Sequence, residues 1–264
     1  MISPRRSWMA AAVLSGALGA GGPYCAASAA ETKPPDLTGV WMGLAFTPGQ
    51  GIGPWKNTPW TPAPAFTAWG AAESKRLANP QISKNSYCNT GQTVMMMSAQ
   101  PLFPMQIAAA PGVLIFMVEG MPIQRRIYID GRPHPADPDP TYFGHSIGHW
   151  DGDVLVIDTV GIKASGRPLN GYVAPAVIPT PEDYTPRLPA SDQLHLSERL
   201  RLVGKGQFLE EELTISDPKV YANSFTAKFY SQRRPDLDVL ELYCEENLRP
   251  DSEGYVKSPE GASK

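Results

Sequence analysis

Proline and glycine interrupt this chain so often that only short elements fit between them. Its 264 residues include 28 prolines and 24 glycines. They concentrate in residues 47–64, 133–140 and 168–189. Because proline lacks a backbone N–H and disrupts both helix interiors and central strands, these three stretches are predicted to be long surface loops. These three stretches therefore cannot be continuous helix or central strand.

Between the loops, alternating and β-branched residues predict short strands joined by tight turns. The strongest turn signals are Asp130-Gly131, Asp151-Gly152 and Gly204-Lys205-Gly206. The predicted strands cover residues 39–46, 105–109, 113–119, 124–129, 145–150, 154–159, 194–203, 208–216, 225–232 and 239–245. Only residues 67–77 have helical character. The series predicts an all-β fold, either an antiparallel barrel or a sandwich, with up-and-down connections and at most one or two short helices.

The first predicted strand begins with Gly-x-Trp, at Gly39 and Trp41. This tripeptide resembles the signature that opens the first strand of lipocalin-like barrels, in which the Trp closes one end of the barrel. Together with the strand series that follows it, the resemblance favours an antiparallel lipocalin-like β-barrel with long Pro/Gly-rich loops.

Residues 1–30 are predicted to be a signal peptide. Two arginines, at positions 5 and 6, precede the apolar run Met9–Ala20, and small residues follow up to Ala30. The run is shorter than the roughly 20 residues that a membrane-spanning helix needs. Export by the Sec or the twin-arginine route would place the protein in the periplasm or outside the cell. Residues 31–250 are predicted to form one barrel domain and residues 251–264 a flexible tail.

Charge and cysteine content narrow the classes of partner. The net charge of −3 argues against a nucleic-acid surface, and no later run is apolar and long enough to span a membrane. After export the chain would keep Cys88 and Cys244, a widely separated pair that suggests a disulfide in an oxidising compartment. Two separate buried thiols are the alternative. The sequence carries no signal for an oligomeric state.

Three of the four histidines fall within residues 125–158, among Arg, Asp and Tyr. Histidine titrates near neutral pH, and clustering it with charged groups is costly unless the groups are paired or used. The predicted site therefore lies in this stretch, with a small molecule as its partner. The predicted catalytic residues are His145, Tyr128, Arg126 and Asp130, and the predicted substrate-binding residues are Arg132, His134, His149 and Trp60.

His145 is predicted to be the general acid and base, with Tyr128 and Arg126 positioning the substrate or its oxyanion and Asp130 orienting a partner. His145 is expected to face the barrel cavity, within reach of Tyr128 or Arg126, because a buried imidazole needs polar partners. Such a set suits a lyase, isomerase or hydratase that needs no cofactor and acts on a partly apolar, possibly aromatic, compound. Two alternatives stay open: a non-catalytic periplasmic protein that binds a small hydrophobic ligand in the same pocket, and a structural network of ion pairs such as Arg132 with Asp130.

Metal binding and serine catalysis are disfavoured. His145 and His149 are four residues apart on a predicted strand, which separates them by roughly 13 Å, too far to share one ion. Residues 144–148 match Gly-x-Ser-x-Gly, but a nucleophile elbow needs a strand-to-helix turn, and strand signals flank this match. Neither a metal nor a serine nucleophile is expected.

In motif order, the chain resembles a family of uncharacterised secreted bacterial proteins. The motifs are Asp-Leu-Thr-Gly-Val-Trp at 36–41, Cys-x-x-Gly at 88–91, Arg-x-Ile-Tyr-x-Asp-Gly-Arg-x-His-Pro ending at 135, Gly-His-Ser-x-Gly-x-Trp-Asp/Glu-Gly-Asp at 144–153 and Cys-Glu-Glu-Asn at 244–247. His149 stands where Arg is expected in many relatives. The resemblance implies a lipocalin-like (calycin-type) barrel and a shared site, and it names no reaction.

Overall fold

The computed structural model describes residues 33–44, 49–78, 103–119, 124–164, 169, 187–240, 249–250 and 256–257. The barrel lies in one compact unit, Pro34–Lys264. The proposed signal peptide, Cys88, Cys244 and most of the predicted strand 239–245 lie outside the described residues. The disulfide and the signal peptide therefore stay predictions.

Strands are the main regular elements of the described chain, which contains one short helix. The strands are β1 (Gly39–Gly43), β2 (Gly51–Ile52), β3 (Trp55–Lys56), β4 (Met105–Ala110), β5 (Val113–Val118), β6 (Arg125–Tyr128), β7 (His145–Asp151), β8 (Val154–Val160), β9 (His195–Val203), β10 (Phe208–Ser216), β11 (Phe225–Arg233), β12 (Arg249–Pro250) and β13 (Val256–Lys257), and helix α1 (Ala68–Leu77) falls between β3 and β4. Nine of them form a closed barrel in the order β1-β11-β10-β9-β8-β7-β6-β5-β4. The ring closes because β1 pairs with both β11 and β4. The predicted all-β barrel is confirmed.

One pair of neighbouring strands departs from the predicted antiparallel, up-and-down pattern. Strands β6 and β7 are parallel, with Ile127 opposite Ser146 and Tyr128 opposite Ile147. Parallel neighbours need a crossover connection instead of a hairpin, and residues 129–144 supply it. The predicted turn at Gly131 is present, with φ +81°, but it begins this crossover.

Two apolar clusters form the core, and inward positions that alternate along the barrel strands contribute to both. The first apolar cluster comprises Leu37, Trp41, Met105, Ile107, Leu114, Phe116, Val118, Ile127, Phe143, Leu155, Ile157, Leu200 and Leu209. The second apolar cluster comprises Ile162, Leu169, Leu188, Ala190, Leu194, Leu196, Leu213, Ile215, Val220, Tyr221 and Phe225. In the first, the indole N–H of Trp41 donates to the Leu37 carbonyl (3.0 Å), and the Arg233 guanidinium lies 4.2 Å from the ring centre.

A buried polar layer separates the two apolar clusters. On β9, inward-pointing Glu198 lies between Leu196 of the second apolar cluster and Leu200 of the first. The same alternation places Glu211 between Leu209 and Leu213 on β10. Arg125, Ser146, Thr159, Glu198 and Glu211 form this layer, which we call the inner cluster.

Arg125 organises the inner cluster. Its guanidinium forms a bidentate ion pair with Glu198, donates from Nε to the Ser146 hydroxyl (3.2 Å) and donates from Nη2 to the Thr159 hydroxyl (2.9 Å). Burial first, and the charge of Glu198 second, raise the pKa of Glu211 well above its usual range. Because Glu211 keeps its proton, the buried set carries one positive and one negative charge and is neutral as a whole.

The segment before α1 closes onto β11. The backbone of Thr61 pairs with Thr226, and the Trp60 ring packs on Phe225 and Phe229 at the second apolar cluster. The predicted helix is confirmed: Thr67 caps it by accepting from the Gly70 N–H (3.1 Å). In the part of the chain that the structure describes, no helix has the length and apolarity needed to cross a membrane.

Candidate functional site

The predicted site residues lie on two faces of one barrel wall. On β6 the side chain of Arg125 points inward, whereas Arg126 and Tyr128 point outward. On β7 Ser146 points inward, so His145 points outward. The prediction that His145 faces the barrel interior is therefore wrong.

The packing of one large side chain explains why the face of β7 opposite His145 lies inside the barrel. Trp150 packs against the first apolar cluster. Because side chains alternate strictly, Ser146 and Gly148 turn inward with it, and His145 and Ile147 turn outward. The inward hydroxyl of Ser146 is bonded within the inner cluster, so the Gly-x-Ser-x-Gly match is no nucleophile elbow.

His145 nevertheless lines a cleft, on the outer face of the barrel. The cleft is open to solvent, has a volume of about 630 Å³, and lies between β6, residues 140–144 and Lys163. The crossover that the parallel pair requires supplies one of its walls. The side chains that matter for its chemistry are Arg126, Tyr128, Tyr142, Phe143, His145 and Lys163.

The His145 ring contacts Tyr128 and His134. It stacks on the Tyr128 ring with centroids 5.3 Å apart at 25°, which confirms the expected contact with Tyr128. Its Nδ1 lies 2.8 Å from Nδ1 of His134, whose ring meets it nearly edge-on. Among the described residues, Nε2 of His145 has no hydrogen-bond partner.

Asp158 extends this contact into a chain of hydrogen bonds. Nε2 of His134 lies 2.9 Å from one carboxylate oxygen, and Nε2 of His195 lies 2.5 Å from the other. The His195 and Asp158 side chains are 45 % and 41 % exposed, against 18 % for His134. We call His134, His145, Asp158 and His195 the outer cluster.

The carboxylate determines the tautomers along this chain. An ionised carboxylate only accepts, so Nε2 of His134 and Nε2 of His195 both donate to Asp158. A neutral His134 then accepts at Nδ1, and Nδ1 of His145 must donate to it. This assignment leaves the lone pair of His145 on Nε2, the nitrogen without a described partner.

The surroundings of His145, burial above all, favour its neutral form. Burial, followed by the positive charges of protonated His134 and of Arg132, lowers its pKa below the ordinary value of 6.5. A neutral imidazole at neutral pH is the form that accepts a proton. The site therefore contains one base, His145, whose Nε2 has no hydrogen-bond partner among the described residues and which lines a cleft.

Arg132 and Asp130 form a separate pair beside Tyr128. Three hydrogen bonds join the guanidinium to the carboxylate, at 2.9 Å, 3.0 Å and 2.5 Å, and the guanidinium carbon lies 4.0 Å from the Tyr128 ring centre. The hydrogen bonds from Arg132 lower the pKa of Asp130. Asp130 thus orients Arg132. This ion pair is the one named in the alternative of a structural network.

The remaining predicted residues lie elsewhere. His149 is exposed on the outer face of β7, four residues from His145, and Trp60 belongs to the packing of the second apolar cluster. Neither is among the described residues that line the cleft. Asp158 and His195 were missed. The pairing of His145 with Val160 brings Asp158 of β8 to the site. The pairing of Asp158 with Ser197 brings His195 of β9, and a long segment of sequence separates β8 from β9.

The arrangement does not resemble a metal centre. Among the described residues, no group of three or more His, Cys, Asp or Glu side chains is placed to hold one ion. His134 instead uses its two nitrogens for two different partners. Comparison of the sequence with protein-family models and with curated proteins finds no match. Fold and site geometry are therefore the basis for assigning a function.

Proposed function

We propose that this protein catalyses proton transfer on a small organic molecule in the outer cleft, as a lyase, isomerase or hydratase that needs no cofactor. His145 is the general base and acid. The observation that carries the proposal is the position of His145 in the cleft, with Nδ1 bonded to His134, with Nε2 unpartnered among the described residues, and with a pKa that burial lowers.

The proton balance of such a reaction is simple. Nε2 of His145 takes a proton from a C–H beside a carbonyl or carboxylate; the C–H bond breaks, its electron pair stays on the substrate as an enolate, and an N–H bond forms. Return of the proton to another carbon gives an isomerase. Loss of a leaving group from the adjacent carbon gives a lyase, and addition of water by the reverse route gives a hydratase.

The outer cluster stabilises the charge that the base acquires. Once His145 is protonated, its Nδ1–H points at Nδ1 of His134, 2.8 Å away. Transfer along this hydrogen bond puts the positive charge on His134, whose Nε2 is 2.9 Å from the Asp158 carboxylate. His195, bonded to the same carboxylate and exposed, links the chain to solvent. Arg126 and Lys163 supply positive charge to the developing oxyanion.

A non-catalytic binding protein is the second candidate, favoured by the closed barrel, which is compatible with lipocalin-like binding. Side chains of two apolar clusters and the inner cluster occupy the barrel interior. A ligand of this protein would accordingly lie in the outer cleft.

Hydrogen exchange separates the two candidates. The purified protein is incubated in D2O with a panel of small organic acids and ketones, and deuterium incorporation and product masses are followed. We expect exchange at one carbon, and a rate reduced by about 100-fold or more in His145→Gln. His149→Gln, on the same strand outside the cleft, is the matched control and leaves the rate unchanged. Binding without exchange or a mass change in the wild type favours the binding protein.

A further inference from the structure

We infer that the outer cleft binds small organic anions with a planar, conjugated or aromatic body, so that the substrate is a carboxylate. This inference rests on the proposed function for the fate of the bound molecule, whereas binding itself is argued from the cleft alone. It names a ligand class that the reaction type leaves open.

The charge of the cleft differs from that of the chain. The described lining contains Arg126, Lys163 and the imidazole of His145, and no acidic side chain. The whole chain carries a net charge of −3. A positive cleft on a negative protein concentrates anions at the site.

The two cations come from different walls of the cleft. Arg126 projects outward from β6, is exposed, and forms no ion pair with any described residue. Lys163 follows β8, and its backbone N–H donates to the Thr141 carbonyl (2.7 Å), which holds it against the opposite wall. Two cations held by separate elements beside one base match a carboxylate that is gripped while a neighbouring C–H reacts.

The nearby carboxylates already have partners. Arg132 holds Asp130, and two imidazoles hold Asp158. Neither carboxylate is one of the described lining residues. A bound anion is thus not opposed by a protein carboxylate within the described lining.

The aromatic side chains of the cleft select a flat body. Tyr128 and Tyr142 are half-buried, with Tyr128 stacked on His145 and the Lys163 ammonium 5.4 Å from the Tyr142 ring centre. Because His145 and Arg132 already stack on the Tyr128 ring, Tyr142 is the ring on which a planar ligand can stack while its carboxylate meets Lys163. A cleft of about 630 Å³ limits the ligand to a small molecule.

Matched carboxylates and amides test the inference. Binding of cinnamate, 4-hydroxybenzoate and phenylpyruvate, and of their neutral amides, is measured on the purified full chain by ligand-observed NMR and calorimetry. We expect each bound carboxylate to bind at least about 10-fold more tightly than its amide, and Arg126→Gln and Lys163→Gln each to weaken it by about 10-fold. Added salt at about 0.5 M weakens it further. Arg199→Gln, an exposed arginine on β9 outside the cleft, is the matched control and changes nothing.

Each other outcome overturns the inference. Amides that bind as tightly as the carboxylates, carboxylates that all bind more weakly than about 10 mM, or an equal loss in Arg199→Gln contradict an anion site. His145→Gln separates this inference from the proposed function, because it should bind carboxylates while hydrogen exchange is lost. Carboxylate binding without any exchange in the wild type refutes only the reaction. Exchange into neutral ketones without carboxylate binding refutes only the ligand class.

Discussion

Strands β6 to β10 and the crossover at residues 129–144 carry two polar clusters, one on each face of the barrel wall, and burial gives them different chemistry. In the inner cluster, Arg125 and Glu198 are at most 1 % exposed and lie between two apolar clusters. In the outer cluster, the Asp158 and His195 side chains are more than two-fifths exposed. Adjacent residues such as Arg125 and Arg126 differ only in the face that they occupy, and this face decides whether a group holds the fold or meets a ligand.

The inner cluster has the properties of a buried ion-pair network that supports the fold. Its charges cancel, and its arginine makes four hydrogen bonds to three partners. Nothing in it reaches the described lining of the cleft. The outer cluster has a neutral base with an open nitrogen beside solvent.

The largest expected effect is on stability, and it uses two neighbouring arginines. Arg125→Met leaves Glu198 buried without its cation, and we expect the free energy of unfolding in urea to fall by about 3–5 kcal/mol at neutral pH. Arg126→Met, on the opposite face, should cost less than about 0.5 kcal/mol. Adding Glu198→Leu to Arg125→Met removes both charges and should recover most of the loss. Similar small losses for both single variants would make the inner cluster energetically unimportant.

The second expected effect is a pH dependence of stability that originates in the inner cluster. Because the pKa of Glu211 is raised in the folded state, the folded protein keeps a proton that the unfolded chain has lost. The contribution of this proton to the free energy of unfolding is fully present below the ordinary pKa of glutamic acid. It is lost as the pH rises toward the folded pKa, by about 1.4 kcal/mol per pH unit. Glu211→Gln mimics the protonated acid and should remove this slope in urea unfolding measured from acidic to neutral pH. An unchanged slope would place the proton elsewhere.

The third expected effect concerns the outer cluster and changes a pH profile. The positive charge that His134 carries in its protonated form is the second cause of the lowered pKa of His145, after burial. His134→Gln removes that charge, so the pKa of His145 should rise and the acid limb of the exchange rate should move to higher pH. The maximal rate should fall by about 10-fold, because glutamine cannot accept the proton that His145 passes on. Reduced activity with an unmoved acid limb would mean that His134 only supports the fold.

The smallest expected effect separates Asp130 from the outer cluster. Asp130 bonds to Arg132 and is not one of the described residues lining the cleft. Asp130→Asn should therefore lower the exchange rate by less than about threefold, since an exposed ion pair contributes little. A loss as large as that in His145→Gln would assign Asp130 a direct role in the reaction.

Local patterns predicted the elements well because local chemistry forms them. The turn at residues 204–206 correctly bounded β10, and α1 begins where Thr67 caps it. Alternation along β7 puts His145 and Ile147 on one face. It could not show which face is inside, since that depends on Trp150 finding the first apolar cluster.

The pairing of strands that are distant in the sequence could not be predicted from the sequence. The parallel pairing of β6 with β7 requires a crossover, and a turn signal such as Asp130-Gly131 is the same for a hairpin and for a crossover. His195 reaches Asp158 only through the register of β8 with β9. His195 therefore joins the outer cluster through strand pairing, which no local pattern encodes.

The tautomer of His145 is the most direct test of the site. In protein labelled with 15N at histidine, the two ring nitrogens are distinguished by their chemical shifts and long-range couplings at neutral pH. We expect a neutral ring with the proton on Nδ1 and the lone pair on Nε2, and in Asp158→Asn a loss of this preference, because the amide no longer fixes the proton on His134. A ring protonated on Nε2, or an imidazolium at neutral pH, would contradict a general base at this position.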